Sequence, residues 1–212
     1  MRVDIWSDVV CPWCYVGKAR FEKALAEFAP DGPGGRIEVV YRSFELDPGW
    51  PAGQTMPVLE LLAAKYRLPA AAAAEGQVAA LARDEGLGFR TDREIGNTFD
   101  IHRVLQLGRA QGFQLRVLGA IYHAYYAEAR PIFEPDTLAA VAADAGLDPG
   151  DVRQTLDSDD FADAVRADER RAGELGISGV PCFVFDGRPG VSGAQPVATF
   201  AGALREAAAS PS

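Results

Sequence analysis

The stretch Cys11-Pro12-Trp13-Cys14 constrains this chain more than any other. Two thiols two residues apart can meet only if the backbone between them turns, and the flanking residues indicate how. Arg2-Val3-Asp4-Ile5-Trp6-Ser7 has the β-branched and aromatic content of a strand. After the pair, residues 19–28 repeat apolar side chains at Phe21, Leu25 and Phe28, the spacing of an amphipathic helix. A strand, a short Cys-x-x-Cys loop and a helix form a dithiol redox unit. Pro12 suits the first helical position, where its missing N–H costs nothing. Cys11 then stands at the helix N-terminus, beside N–H groups without intrahelical partners and at the positive end of the dipole. That position favours the thiolate, which is the nucleophilic form. Cys14, one turn further in, is within reach of Cys11 for a disulfide.

Magnitudes limit what the helix alone achieves. Cys-x-x-Cys motifs lower their first thiol from about 8.5 to roughly 3.5–7. A drop of about 3 units is worth ~4 kcal/mol, whereas a helix dipole supplies at most ~2 kcal/mol. Hydrogen bonds from the second thiol and the backbone amides must supply the rest. The competing use of such a pair is half of a zinc site. Zinc needs a second ligand pair, and Cys182, His102 and His123 offer none at a suitable spacing. No metal is therefore expected.

The rest of the chain narrows the setting. With 212 residues, 48% of them hydrophobic, it can build one large domain, or one domain carrying an insertion. A formal net charge of −9 argues against a nucleic-acid partner. No window of about 20 apolar residues suggests a membrane span. A strand beginning at Arg2 leaves no room for a secretory leader, so a cytoplasmic location is expected. In a reducing compartment a cysteine pair is catalytic or metal-binding rather than structural.

In chain order, the Pro- and Gly-rich run from Pro30 to Gly35 marks a break, and residues 37–44 read as a second, buried strand. Residues 47–53 form a loop containing Trp50. From Pro57 to about Gly176 the periodicity is helical. Helices are expected over 58–66, 78–87, 97–111, 113–129, 137–145 and 158–175, and the Ala-rich run 69–75 also favours helix. That length is far too great for a crossover, so it reads as a helical subdomain, residues 56–176, inserted into a redox domain made of residues 1–55 and 177–212. Strand character returns at Cys182-Phe183-Val184-Phe185-Asp186, with a turn at residues 187–190 and a second strand in which Pro189 argues for the sheet edge. Residues 196–209 form the last helix. Ser192-Gly193-Ala194-Gln195 precedes it as a helix N-terminus that either caps the helix or holds a carboxylate such as glutathione's γ-glutamyl end.

Four stretches together resemble a known family over nearly the whole chain. They are residues 7–17 around the cysteine pair, Asn97-Thr98-Phe99-Asp100-Ile101-His102-Arg103, Gly176-Ile177-Ser178-Gly179-Val180-Pro181 and Val191-Ser192-Gly193-Ala194-Gln195-Pro196. The chain is similar to the FrnE-type branch of the DsbA-like oxidoreductases. Kappa-class glutathione transferases and 2-hydroxychromene-2-carboxylate isomerases share that architecture, with serine common near the position of Cys11.

The resemblance implies an α/β, thioredoxin-like fold with a large inserted α-helical subdomain. It implies a thiol–disulfide oxidoreductase in which Cys11 attacks and Cys14 resolves, with a cis Pro181 packed against them. The alternative is a glutathione-dependent transferase or isomerase acting on a small aromatic substrate. Pro12, Trp13, Val180, Phe99, His102, Ser192 and Gly193 would then line the substrate. In this family an acid on the first strand often takes the resolving thiol's proton, and Asp4 is the candidate. Partners would be protein or small-molecule thiols and disulfides, with glutathione as a co-substrate, no permanently bound cofactor, and a homodimer left open. Cys182 stands where the family commonly has Phe. Strand alternation should turn it away from the cysteine pair and into the core.

Overall fold

A computed structural model describes residues 1–28, 37–66 and 69–209. The break expected over residues 30–35 lies outside them. The chain divides into two compact units: Met1–Leu46 with Arg166–Ser212, and Asp47–Val165. The sequence reading drew these divisions at 55/56 and 176/177.

The first unit is built on a four-stranded sheet. Strand β1 (Arg2–Ser7) lies centrally, parallel to β2 (Glu38–Ser43) and antiparallel to β5 (Cys182–Phe185). Strand β6 (Arg188–Ser192) pairs antiparallel with β5, giving the order β2-β1-β5-β6. β6 is an edge, which accommodates Pro189 without a lost ladder bond inside the sheet. The turn into it is tighter than expected: Asp186 and Gly187 both adopt positive φ, +45° and +80°, the conformation a two-residue hairpin turn requires.

Helices α1 (Pro12–Phe28) and α9 (Val197–Ala209) cover one face of this sheet. Phe21 of α1, Phe183 of β5 and Phe200 of α9 pack as a trio with centroids 4.6–5.7 Å apart. The opposite face carries Trp6, Cys182 and Val184, packed with Ala172 of helix α8 (Ala162–Glu174). Asp168 explains why this helix joins the sheet from Arg166 onward. Its carbonyl accepts the Trp6 indole N–H at 2.8 Å, and its carboxylate accepts from Arg42 and the Ser43 amide at 2.8 and 3.1 Å.

The second unit contains a small antiparallel pair, β3 (Thr55–Pro57) and β4 (Glu94–Gly96). Its helices are α2 (Val58–Tyr66), α3 (Ala70–Asp84), α4 (Phe99–Ala110), α5 (Gln114–Tyr122), α6 (Pro135–Asp144) and α7 (Pro149–Asp157). A π turn over His123–Ala127 prolongs α5. Its core holds the buried pair Arg93 and Glu75, with the guanidinium 4.5 Å from the ring centroids of Phe89 and Tyr126. A charge so far from water needs both a counter-ion and hydrogen bonds.

Candidate functional site: the dithiol turn

β1 hands the chain to a turn in which the Cys11 amide donates to the Asp8 carbonyl at 3.2 Å. The amides of Cys14 and Tyr15 donate back to the Cys11 carbonyl at 3.0 and 3.3 Å, which starts α1. α1 therefore begins at Pro12, earlier than the apolar periodicity of residues 19–28 indicates, and Cys11 stands at its N-terminal end. Both sulfurs belong to buried residues, while Trp13 between them is 42% exposed.

The second wall comes from the other end of the chain. The Val180–Pro181 peptide is cis, and the Val180 carbonyl oxygen lies 3.6 Å from the Cys11 sulfur. The Pro181 carbonyl accepts from the Gly193 amide at 2.8 Å. The Ala194 carbonyl accepts from Arg20 of α1 at 2.8 Å. Gly17 makes this approach possible, because a Cβ there would lie 3.1 Å from Pro181 Cγ. Ser192 and Gly193 thus prop the proline turn. Helix α9 begins only at Val197, and the Gly193 N–H is committed to Pro181. Of the two uses the sequence left open for this stretch, capping or holding a carboxylate, neither draws on the Gly193 N–H.

The two thiols have different surroundings. Burial pushes the Cys14 thiol well above the usual thiol value, and its hydrogen bond and charge interaction with Cys11 push the same way. The Ser7 side chain and the Asp8 backbone oppose this by hydrogen-bonding the Cys14 sulfur. Cys14 is therefore a protonated, sheltered thiol at neutral pH. Cys11 meets the helix end and the Val180 carbonyl.

Asp4 is not the acid beside Cys14. In a strand, alternate residues face opposite sides. Asp4 and Trp6 point toward the α8 face, whereas Ser7, which bonds Cys14, shares the α1 face with Ile5. The Asp4 carboxylate is occupied by Arg42 at 2.7 Å and Arg2 at 3.0 Å. Cys182 follows the same alternation: it lies among Trp6, Ala172 and Val184, and burial raises its thiol.

Phe99 and His102 belong to the second unit. There Asn97 Oδ1 accepts the Phe99 amide at 2.9 Å, capping α4, and His102 is buried on that helix. Among the described residues, no group of three or more His, Cys, Asp and Glu side chains is placed to hold a metal ion, and no helix is long and apolar enough to cross a membrane.

Three residues near the sulfurs were not singled out as site residues by the sequence: Ser7 and Asp8, which open the stretch 7–17, and Tyr41 of the second strand. Asp8 is 1% exposed, and its Oδ2 accepts the Leu46 amide at 2.8 Å, tying the chain after β2 to the dithiol turn. Tyr41 of β2 is also buried, and burial pushes its hydroxyl well above the usual tyrosine value, with Glu22 adding to the rise. Only the register of β2 against β1 reveals it.

A family model for the DSBA-like thioredoxin domain matches residues 2–205. The probable DsbA oxidoreductase SCO1869 of Streptomyces coelicolor is 49% identical, with a TM-score of 0.93 over all of this chain and 92% of that one. The cytosolic disulfide reductase DsbM of Pseudomonas aeruginosa, solved with glutathione, has a TM-score of 0.64 at 19% identity, over 97% of this chain and 98% of its own. A 2-hydroxychromene-2-carboxylate isomerase has a TM-score of 0.66 at 13% identity, over 97% of this chain and 95% of its own. The last two are likenesses of fold alone. With the fold, the Cys-x-x-Cys turn and a family match over almost its whole length, the chain belongs to the DSBA-like thioredoxin domain family.

Proposed function

We propose that Cys11 and Cys14 carry out thiol–disulfide exchange through a mixed disulfide. The observation that carries this reading is the unequal setting of the two sulfurs: Cys11 at the start of α1 against the Val180 carbonyl, Cys14 sheltered and protonated behind it. The Cys11 thiolate attacks a substrate disulfide, and the substrate's distal sulfur leaves. Cys14 then attacks Cys11, forms the Cys11–Cys14 disulfide and releases the second substrate thiol. Run in reverse, the same steps oxidise a substrate dithiol, and redox poise decides the direction. Trp13, Pro12 and Val180 offer the surface nearest the reacting sulfur.

The likeness to a probable DsbA oxidoreductase at 49% identity supports the dithiol chemistry. Glutathione is the small-molecule partner we assign to Cys11, and the cytoplasm is the compartment that supplies it. Protein thiols and disulfides are the larger partners.

The test separates this reading from a glutathione-dependent transferase or isomerase, which needs only one group at the helix N-terminus. Cys14→Ser should accumulate a glutathione adduct on Cys11 when incubated with oxidised glutathione, reversible by dithiothreitol, and lose multiple-turnover exchange. Cys11→Ser should form no adduct. Mass spectrometry reads both. Equal adducts on the two variants would reverse the order of attack. Undiminished isomerase or conjugating activity in Cys14→Ser, with no exchange by the parent, would hand the assignment to the alternative.

A further inference from the structure

Exchange begins when Cys11 attacks a disulfide whose two sulfurs must line up with its own. Cys11 is 4% exposed, so the groups around it decide which approach is open. Its sulfur has the start of α1 on one side and the Val180 carbonyl oxygen, 3.6 Å away, on another. The position of that carbonyl is set by residues distant from the thiols in sequence.

A closed circuit of contacts holds it. The Pro181 carbonyl accepts the Gly193 amide at 2.8 Å, which fixes the Val180–Pro181 turn to the segment after β6. The next residue in that segment, Ala194, offers its carbonyl to Arg20 Nη1, again at 2.8 Å. Arg20 belongs to α1, the helix that carries Cys11 at its start. Gly17 lies three residues before Arg20, on the same side of α1. A Cβ at Gly17 would stand 3.1 Å from Pro181 Cγ and 3.5 Å from Ala194 Cα, so the bare backbone there lets both segments close on the helix. The ladder between β5 and β6 ends with Cys182 paired to Ser192, and Arg20 ties the chain beyond it to α1. The donor is a cation, which makes a stronger bond to a carbonyl than a neutral group would. The circuit therefore runs from α1 through Arg20, Ala194, Gly193, Pro181 and Val180 back to the Cys11 sulfur.

We propose that Arg20 is a positioning residue for the exchange reaction: its bond to Ala194 keeps the Val180–Pro181 wall where a disulfide can enter in line with Cys11. This deepens the function proposed above and rests on it. In the step concerned, an electron pair of the Cys11 thiolate forms a new bond to one substrate sulfur. The substrate's S–S bond breaks, and its other sulfur leaves with that bond's electrons and takes a proton from water. Displacements of this kind depend on alignment of the reacting atoms to a fraction of an ångström. A disulfide carries a group on each of its sulfurs, and those groups must pass along the wall. A small alkylating agent such as iodoacetamide presents one unhindered carbon and can approach from whichever side is open. Arg20 thus matters to disulfides and hardly at all to alkylation.

The experiment uses the full chain in a Cys14→Ser background, where the adduct on Cys11 is not resolved. Its formation from oxidised glutathione is timed by quenching and mass spectrometry, and alkylation of Cys11 by iodoacetamide is timed in the same way. Arg20→Met keeps an apolar stem and removes the donor. It should slow adduct formation by about tenfold, as a modest misplacement does, and leave alkylation near the rate of the Arg20 protein. Arg20→Lys retains a cationic donor and should recover most of the adduct rate. Gly17→Ala, which presses on Pro181 from the other side, should reproduce the split between the two reactions, and it carries the test if Arg20→Met does not fold. A merely structural Arg20 would lower the melting temperature and produce no such split. Unchanged adduct formation in Arg20→Met, equal slowing of both reactions, or a lysine variant as slow as the methionine one overturns the positioning role. A Cys14→Ser protein with Arg20 intact that never forms the adduct overturns the exchange chemistry itself.

Discussion

Cys14 and Cys182 are both buried thiols, yet they stand on opposite faces of one sheet. Ser7 bonds Cys14 from the α1 face, while Cys182 packs with Trp6, Ala172 and Val184 on the α8 face. A thiol enclosed by apolar side chains behaves as a small hydrophobe. Cys182→Ser places a hydroxyl there and should cost about 1–3 kcal/mol in urea unfolding, while thiol–disulfide exchange stays close to the parental rate. If exchange fell as far as in Cys11→Ser, a three-thiol mechanism would be the better account. The same alternation decides the fate of Asp4. The family resemblance offered it as a proton acceptor, and one position of strand parity removed it. Ser7, three residues along, occupies the useful face instead.

Glu45 shows what joins one element to another. It follows β2, and its Oε2 accepts from Arg166 of α8 at 2.6 Å; the same guanidinium nitrogen donates to Glu169 at 2.7 Å. Burial raises the Glu45 carboxyl above its usual 4.5, the neighbouring Glu169 raises it further, and Arg166 opposes both. The native state then holds a proton that the unfolded chain releases. Stability from this group is complete below pH 4.5 and is lost as pH rises through the raised native value. The melting temperature of the parent should therefore fall relative to Glu45→Gln as pH rises from 4.5 toward neutrality. Parallel curves for the two proteins would show that Glu45 does not titrate differently on folding.

The elements differ in how far their sequences disclose them. β1, β2, β5 and β6 announced themselves by apolar runs and turn residues. β3 and β4 did not, because three-residue strands carry no measurable period. Helix α7 was also missed, although Asp148 caps it by accepting the Gly150 and Asp151 amides and Pro149 occupies its first turn. The long helix expected over 158–175 begins only at Ala162, after Phe161 takes φ +64°. In the site, Cys11 and Cys14 were legible because their pairing depends on spacing along the chain, and Pro181 was legible only through the family resemblance. Tyr41 was not, because its place depends on the register of β2 against β1. Ser192 and Gly193 were read as the start of the last helix, whereas the bond that defines Gly193 crosses to Pro181.

At the scale of the whole molecule, the two ends of the chain make one unit and its middle makes the other. The Cys11 sulfur meets Val180 across a sequence separation of 169 residues, and Trp6 meets Asp168 across 162. Pairings so distant form slowly, because closure entropy is spent before their contacts exist. When unfolded protein is returned to native conditions and pulsed with an alkylating agent, protection of Cys14 should appear together with the change in Trp6 fluorescence, and after helical circular dichroism has begun to recover. Protection preceding the Trp6 signal would mean that the N-terminal segment closes over the thiol without the C-terminal one. During synthesis the same arrangement acts as a clock. At about 5–20 residues per second, roughly 10–30 s separate the making of Cys11 from the making of Val180. Until Val180 has been made, the segment that carries both thiols waits without the carbonyl that stands against the Cys11 sulfur in the finished molecule.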